Sequence, residues 1–137
     1  MKVFFDTSAL VKRYIEELGS AQVAETCLRA DVLMVSIVCL PEMLSTLRRL
    51  TREESLSPSD YQKVKKSILT DLADAEISNL TPEVIGLAIH CLENHPLRAL
   101  DAIHLGCALA MKPDLFVSSD RVQIAAARKE GLQVKEV

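Results

Sequence analysis

Tryptophan is absent from the 137-residue chain and aromatic residues make up only 4% of it, so a side-chain platform on which nucleic-acid bases stack is not expected. A basic surplus is absent too. The 16 Lys+Arg stand against 19 Asp+Glu, a formal charge of −3, which excludes a body that grips nucleic acid with its whole surface. Neither half is a basic arm, since residues 1–68 carry 10 basic and 9 acidic side chains and residues 69–137 carry 6 and 10. No C-x-x-C pair and no zinc-finger spacing involves Cys27, Cys39, Cys91 or Cys107; each lies among apolar residues and reads as a buried, reduced thiol. That usage predicts a cytoplasmic protein. The start, Met1-Lys2-Val3-Phe4-Phe5-Asp6, is interrupted by Asp6 and then by Lys12-Arg13, unlike a secretory leader. The longest uncharged apolar run, Ala102–Met111, is half of the ~20 residues a membrane span needs. It reads as a buried helix, and no membrane partner is expected.

What is present fits one domain over residues 1–137. Val3-Phe4-Phe5 is a strand run that stops at Asp6-Thr7-Ser8, three helix-capping residue types. Apolar positions from Ala9 through Leu18 then recur at helical spacing, and Gly19 is expected to close that helix. Ser20 opens a second helix, Val32–Val35 a second strand, and Leu40, Met43, Leu44, Leu47 and Leu50 mark a third helix with Pro41 near its start. A fourth helix follows Ser57-Pro58, residues 76–80 form a short strand, and Thr81-Pro82 opens a fifth helix. Arg98–Met111 is apolar on nearly all sides, which places it between layers. Leu115–Ser118 is a strand, Ser119-Asp120 caps a last helix, and Gln133-Val134-Lys135 is a closing strand. Apolar strands alternating with helices predict an α/β fold: a central parallel sheet of four to five strands covered by helices on both faces. In such sheets ligands collect at the carboxyl ends of the strands.

Asp6 and Asp120 follow the two best strands, so the sheet would bring both to one rim. Each alone is also an ordinary helix cap. Asp101 lies in the most apolar helix, Leu97–Leu105, where an ionised carboxylate is costly unless it is paired or bound to metal; a pair with Arg98 or an exposed first turn would also accommodate it. Glu42 follows Pro41 and shares a polar face with Ser45, Thr46 and Arg49, and by itself reads equally as a solvated acid. Taken together, the four acids can reach one rim. Crowded carboxylates repel one another, and a divalent cation relieves the repulsion. A site with oxygen donors and no Cys or His ligand favours Mg²⁺ or Mn²⁺ and phosphoester chemistry.

These residues fall in motifs whose pattern resembles the PIN-domain nucleases, in particular the VapC-type toxins of toxin–antitoxin pairs, over essentially the whole chain. The motifs are Phe4-Phe5-Asp6-Thr7-Ser8-Ala9-Leu10, Pro41-Glu42-Met43-Leu44, Leu100-Asp101-Ala102-Ile103-His104-Leu105 and Val117-Ser118-Ser119-Asp120. The first and third are the specific ones, and Pro41 directly before Glu42 is less typical. The resemblance implies a three-layer α/β/α PIN-like domain. It implies that Asp6, Glu42, Asp101 and Asp120 hold Mg²⁺ or Mn²⁺ and that RNA is cut by metal-activated water. Thr7, Ser8, Ser118 and Ser119 would support the carboxylates through hydrogen bonds, and the partners would be an RNA substrate, a cognate antitoxin and a second copy in a homodimer.

His104, three residues after Asp101, could face the site, but on its apolar helix it reads first as a hydrogen-bonded core residue and not a general base. Residues 43–68 carry Arg48, Arg49, Arg52, Lys63, Lys65 and Lys66 against Glu53, Glu54 and Asp60, either a phosphate-tracking patch or a solvated hairpin. Arg13, Arg98 and Arg121 lie beside acids in sequence and, with Arg49, are the candidate contacts to an RNA backbone. Two rival functions remain open. The strand-Asp-Thr-Ser start resembles a haloacid-dehalogenase-like aspartyl-phosphate phosphatase, although Ser8 stands where that chemistry wants a second Asp. A non-catalytic RNA- or protein-binding module would keep the fold without the reaction.

Overall fold

The five strands form one parallel sheet, described here from a computed structural model covering residues 1–137. β1 (Lys2–Phe5) is central, β2 (Val32–Ser36) and β3 (Glu76–Ser78) lie to one side, and β4 (Leu115–Ser118) and β5 (Val134–Glu136) lie to the other. The spatial order is β3-β2-β1-β4-β5. Phe4 stands in register with Met34 on β2 and with Phe116 on β4. Alternation along the strands then divides the core. Val3, Phe5, Val35 and Val117 pack under α1 (Thr7–Leu10), α2 (Ser20–Arg29), α3 (Cys39–Arg52) and α4 (Pro58–Leu72). Phe4, Met34 and Phe116 pack under α5 (Pro82–Asn94), α6 (Ala99–Met111) and α7 (Arg121–Lys129). Both faces are covered, which is why the strands read as apolar runs instead of alternating ones. Phe4 and Phe116 stack with ring centroids 5.7 Å apart.

Caps set the helix starts at the expected residues. Ser57 accepts from the Asp60 N–H and Thr81 from the Val84 N–H, each with proline following in the first turn. α6 contacts β2 on one side and α5 on the other, as its all-round apolar character requires. The α5–α6 approach is close at Gly106, where a Cβ would sit 2.9 Å from the Val84 carbonyl oxygen and 3.0 Å from the Ala88 nitrogen. A side chain there would push the two helices apart.

The first helix differs from its expected span. α1 ends at Leu10, a 3₁₀ turn covers Val11–Arg13, and the chain then turns through residues 14–19 with Leu18 94% exposed. Side chains hold that turn: Lys12 Nζ donates to the carbonyls of Leu18 and Val137 at 2.7 and 3.1 Å, and Glu17 N donates to Ser20 Oγ at 2.9 Å. Gly19, at φ 97°, caps the start of α2 instead of closing the first helix. All four cysteines are free thiols, three buried and Cys27 half-buried, and burial pushes Cys39 up to about 12 and Cys91 up to about 11. No helix is long and apolar enough to cross a membrane.

Candidate active site

The parallel order carries the ends of β1 and β4 to the same rim, and the residue after each strand begins a helix. Asp6 N donates to the Val117 carbonyl at 3.1 Å, locking the two exits together. Ser119 completes the junction: its N–H donates to Ser8 Oγ at 3.1 Å and its hydroxyl to the Ser8 carbonyl at 3.2 Å. Beside this junction a cleft of about 370 Å³ is lined by Asp6, Thr7, Ser8, Glu42, Ser45, Thr46, Leu100, Asp101, His104 and Asp120. The four predicted acids thus share one cleft although they come from four separate segments.

Each acid is held differently. Asp6 is 3% exposed; it accepts from the Ser8 hydroxyl at 2.8 and 3.0 Å, the Ser118 hydroxyl at 2.7 Å and the Ala9 N–H at 3.0 Å. Burial raises its pKa, and the Ser118 and Ser8 hydroxyls counter that in part. Glu42, in the first turn of α3, accepts from Thr7 Oγ1 at 2.9 Å and contacts His104 Nε2 through the same oxygen. Burial disfavours its charged form, but the His104 and Thr7 bonds win and hold its carboxyl below the ordinary range. Asp101 forms no ion pair with Arg98. Burial and then the charge of Asp120 push its pKa up, countered in part by the Arg98 backbone N–H and by His104. Asp120 caps α7 through Oδ1, accepting from Val122 N at 2.8 Å and Gln123 N at 3.2 Å.

Two further residues belong to the frame of the site: His104, which the sequence reading set first in the core, and Gln123, which it did not single out. His104, 2% exposed, faces the cleft with Nε2 between Glu42 and Thr7 Oγ1, the latter at 3.2 Å. Its Nδ1 is buried without a partner, so the proton that serves Glu42 sits on Nε2. The fully buried Gln123 donates from Nε2 to the Asp101 carbonyl at 3.1 Å, tying α7 to α6. Its position three residues after Asp120 is the spacing at which a cap meets the first turn, a readable signal. The candidate arginines divide. Arg13 lies away from the acids, bonded to Asp71 at 3.2 Å in a separate cleft with Cys27, Asp31 and Leu33. Arg49 pairs with Glu53 and Arg121 with Glu136, and Arg98 lines a second cleft adjoining the acidic one.

No three of the acidic or imidazole groups close on a single point. Glu42 is turned onto His104, and Asp120 spends one oxygen on α7. The donors are nonetheless carboxylate oxygens and hydroxyls around a space of about 370 Å³, which suits a hard cation that keeps several waters. Burial raises the pKa of Asp6 and Asp101, and a cation in the cleft would favour their charged forms. The donor set therefore fits a divalent ion of the Mg²⁺ class.

A family model described as the PIN domain matches residues 3–129. Ribonuclease VapC45 from Mycobacterium tuberculosis is 31% identical over 134 residues, 96% of this chain and 93% of that protein. Among solved structures, a toxin–antitoxin complex from Klebsiella pneumoniae superposes with TM-score 0.70 at 15% identity, covering 98% of this chain and 99% of that one. VapC20 from Mycobacterium tuberculosis, a sarcin–ricin loop cleaving toxin, does so with TM-score 0.69 at 16% identity, covering 90% and 94%. At such identities the two structures speak for the fold alone.

Proposed function

Because the chain belongs to the PIN-domain family, we propose that it is a metal-dependent endoribonuclease, the toxin of a toxin–antitoxin pair, in which Asp6, Glu42, Asp101 and Asp120 hold Mg²⁺ or Mn²⁺. The observation that carries this reading is the single cleft lined by all four acids. The ribonuclease relative at 31% identity over nearly the whole chain supports the substrate class. The neighbour solved as a toxin–antitoxin complex supports a cognate antitoxin as partner. A cytoplasmic homodimer built from one nuclease unit over residues 1–137 completes the proposal.

When bound, the cation supplies activation of a water and neutralisation of charge on the scissile phosphate. The chain's own residues do the positioning. Ser8 and Ser118 aim the Asp6 carboxylate, Thr7 and His104 hold Glu42, and the α7 N-terminus holds Asp120. The phosphatase alternative wants a second carboxylate two positions after Asp6, where Ser8 stands and donates its hydroxyl to Asp6.

The test is cleavage of RNA by the purified protein with Mg²⁺ or Mn²⁺, in excess EDTA, and in the Asp6→Asn and Asp101→Asn variants. Loss of at least about 100-fold in each of the last three is expected, on the scale of a removed electrostatic catalyst. Full activity in EDTA would sink the metal mechanism. A wild-type protein that cuts no RNA would leave only the non-catalytic module. Toxicity on expression, relieved by the adjacent reading frame, tests the antitoxin.

A further inference from the structure

The polar face of α3 divides at the site. Arg49 turns away to pair with Glu53 at 3.4 Å, whereas Ser45 and Thr46, three and four residues after Glu42, line the acidic cleft beside it. That spacing puts the three side chains on one face of the helix. Other helical hydroxyls are taken up by their own backbone. Thr51, on the same helix, donates to the Leu47 carbonyl at 2.8 Å, and Thr26, Ser67 and Thr70 donate to the carbonyl four residues earlier at 2.6, 3.2 and 2.9 Å. Ser45 and Thr46 make no such bond. Thr7 and Ser8, the other hydroxyls lining the cleft, are spent on Glu42 and Asp6.

The cleft therefore has two kinds of polar surface. Its carboxylates meet a phosphate only through a cation, and no lysine or arginine lines the cleft. The α3 wall offers two neutral hydroxyls, each able to donate and to accept, one turn from Glu42. A neutral hydroxyl that also donates and accepts is their complement, and in a nucleic-acid strand the 2′-hydroxyl beside each phosphate is that group, present in RNA and missing from DNA. We propose that Ser45 and Thr46 hold the 2′-hydroxyl of the ribose next to the scissile phosphate and thereby make the site select RNA over DNA. The inference rests on the ribonuclease reading and adds to it the two residues that recognise the sugar. With a deoxy sugar the two hydroxyls would stand against carbon, their water displaced and not replaced.

The RNA cut by the wild type is resynthesised with a single 2′-deoxy sugar at each position around the cut, and kcat/KM is measured on every strand in Mg²⁺ or Mn²⁺. One deoxy sugar next to the cut should slow the wild type about tenfold or more. The double variant Ser45→Ala/Thr46→Val should cut the all-ribose strand about tenfold more slowly and treat the two strands alike. A helix that merely packs worse would slow both strands equally, so an unchanged ratio would overturn the assignment. A wild type indifferent to every deoxy sugar would do the same. Weaker Mn²⁺ binding in the double variant, with the ratio unchanged, would give the hydroxyls to the waters of the ion instead. Ser45→Ala alone, at an exposed position, should narrow the ratio in part and decides the matter if the double variant does not fold. If the wild type cuts no RNA, the ribonuclease reading fails, and fluorescence anisotropy of ribose and deoxy strands of one sequence in Mg²⁺ still tests the sugar contact. Tighter binding of the ribose strand that Ser45→Ala reduces would support it, and equal binding would overturn it.

Discussion

His104 and Thr7 reach Glu42 from two different elements and converge on one of its oxygens. A glutamate has three rotatable bonds, and without those partners its carboxylate would sample solvent at an entropic cost to any bound state. His104 is thus a positioning residue, comparable to the outer partners that orient metal-ligating side chains. His104→Leu should lower cleavage and Mn²⁺ affinity about 10- to 100-fold. His104→Gln, which keeps a donor near the Nε2 position, should recover part of both. Titration calorimetry with Mn²⁺ separates this from a packing role: an affinity unchanged in the leucine variant would make His104 a core residue only. Neither the length of the α3 polar face nor the apolar character of α6 announces the pair, because 62 positions separate Glu42 from His104. The acids themselves were legible because each sits where a strand ends or a helix begins.

At the scale of elements, the ends of α5 and α7 are joined by one carboxylate. Glu130 Oε1 meets His95 Nε2 at 2.8 Å and His90 Nε2 at 2.9 Å. The His95 hydrogen bond holds the Glu130 carboxyl below its usual range against a smaller opposing effect of burial, and His90 adds to it. A carboxyl depressed by folding stabilises fully above its unfolded pKa of about 4.3, and that contribution is lost as pH falls through the lower folded value. Glu130→Gln should therefore cost about 1 kcal/mol near neutral pH, with the gap to wild type closing below about pH 4. Urea unfolding at a series of pH values measures it; a gap that stays constant would assign Glu130 to packing. Most elements could be read from local chemistry, since Ser57, Thr81 and Asp120 accept the cap bonds that their residue types predict. The exception is the first helix. Its periodic apolar positions extend to Leu18, but the backbone leaves the helix after Leu10, and the turn is bonded through Lys12 to Val137, 125 positions away, a contact that no local pattern carries.

For the molecule as a whole, a charge of −3 and a polyanionic substrate are in conflict only while the acids stand uncompensated. Two bound divalent ions would reverse the sign of the net charge and place positive potential where the substrate phosphate must sit. The same ions would act on stability, because a cation that binds the folded state and not the unfolded chain stabilises by about 2.7 kcal/mol at a hundred times its dissociation constant. For a chain of this size that corresponds to a rise in Tm on the order of 10 °C. Removing one source of repulsion should mimic part of the effect: Asp101→Asn, at a carboxylate pushed up by burial and by Asp120, should raise the Tm of the EDTA-treated protein by a few degrees, about 1 kcal/mol or less. It should also blunt the further rise on adding Mn²⁺. Scanning calorimetry of the wild type and Asp101→Asn, each in EDTA and in saturating Mn²⁺, gives four melting temperatures. A Mn²⁺-induced rise equal in the two proteins would place the ion away from Asp101, and a fall in the metal-free variant would show that the Asp101 charge has a partner within the fold.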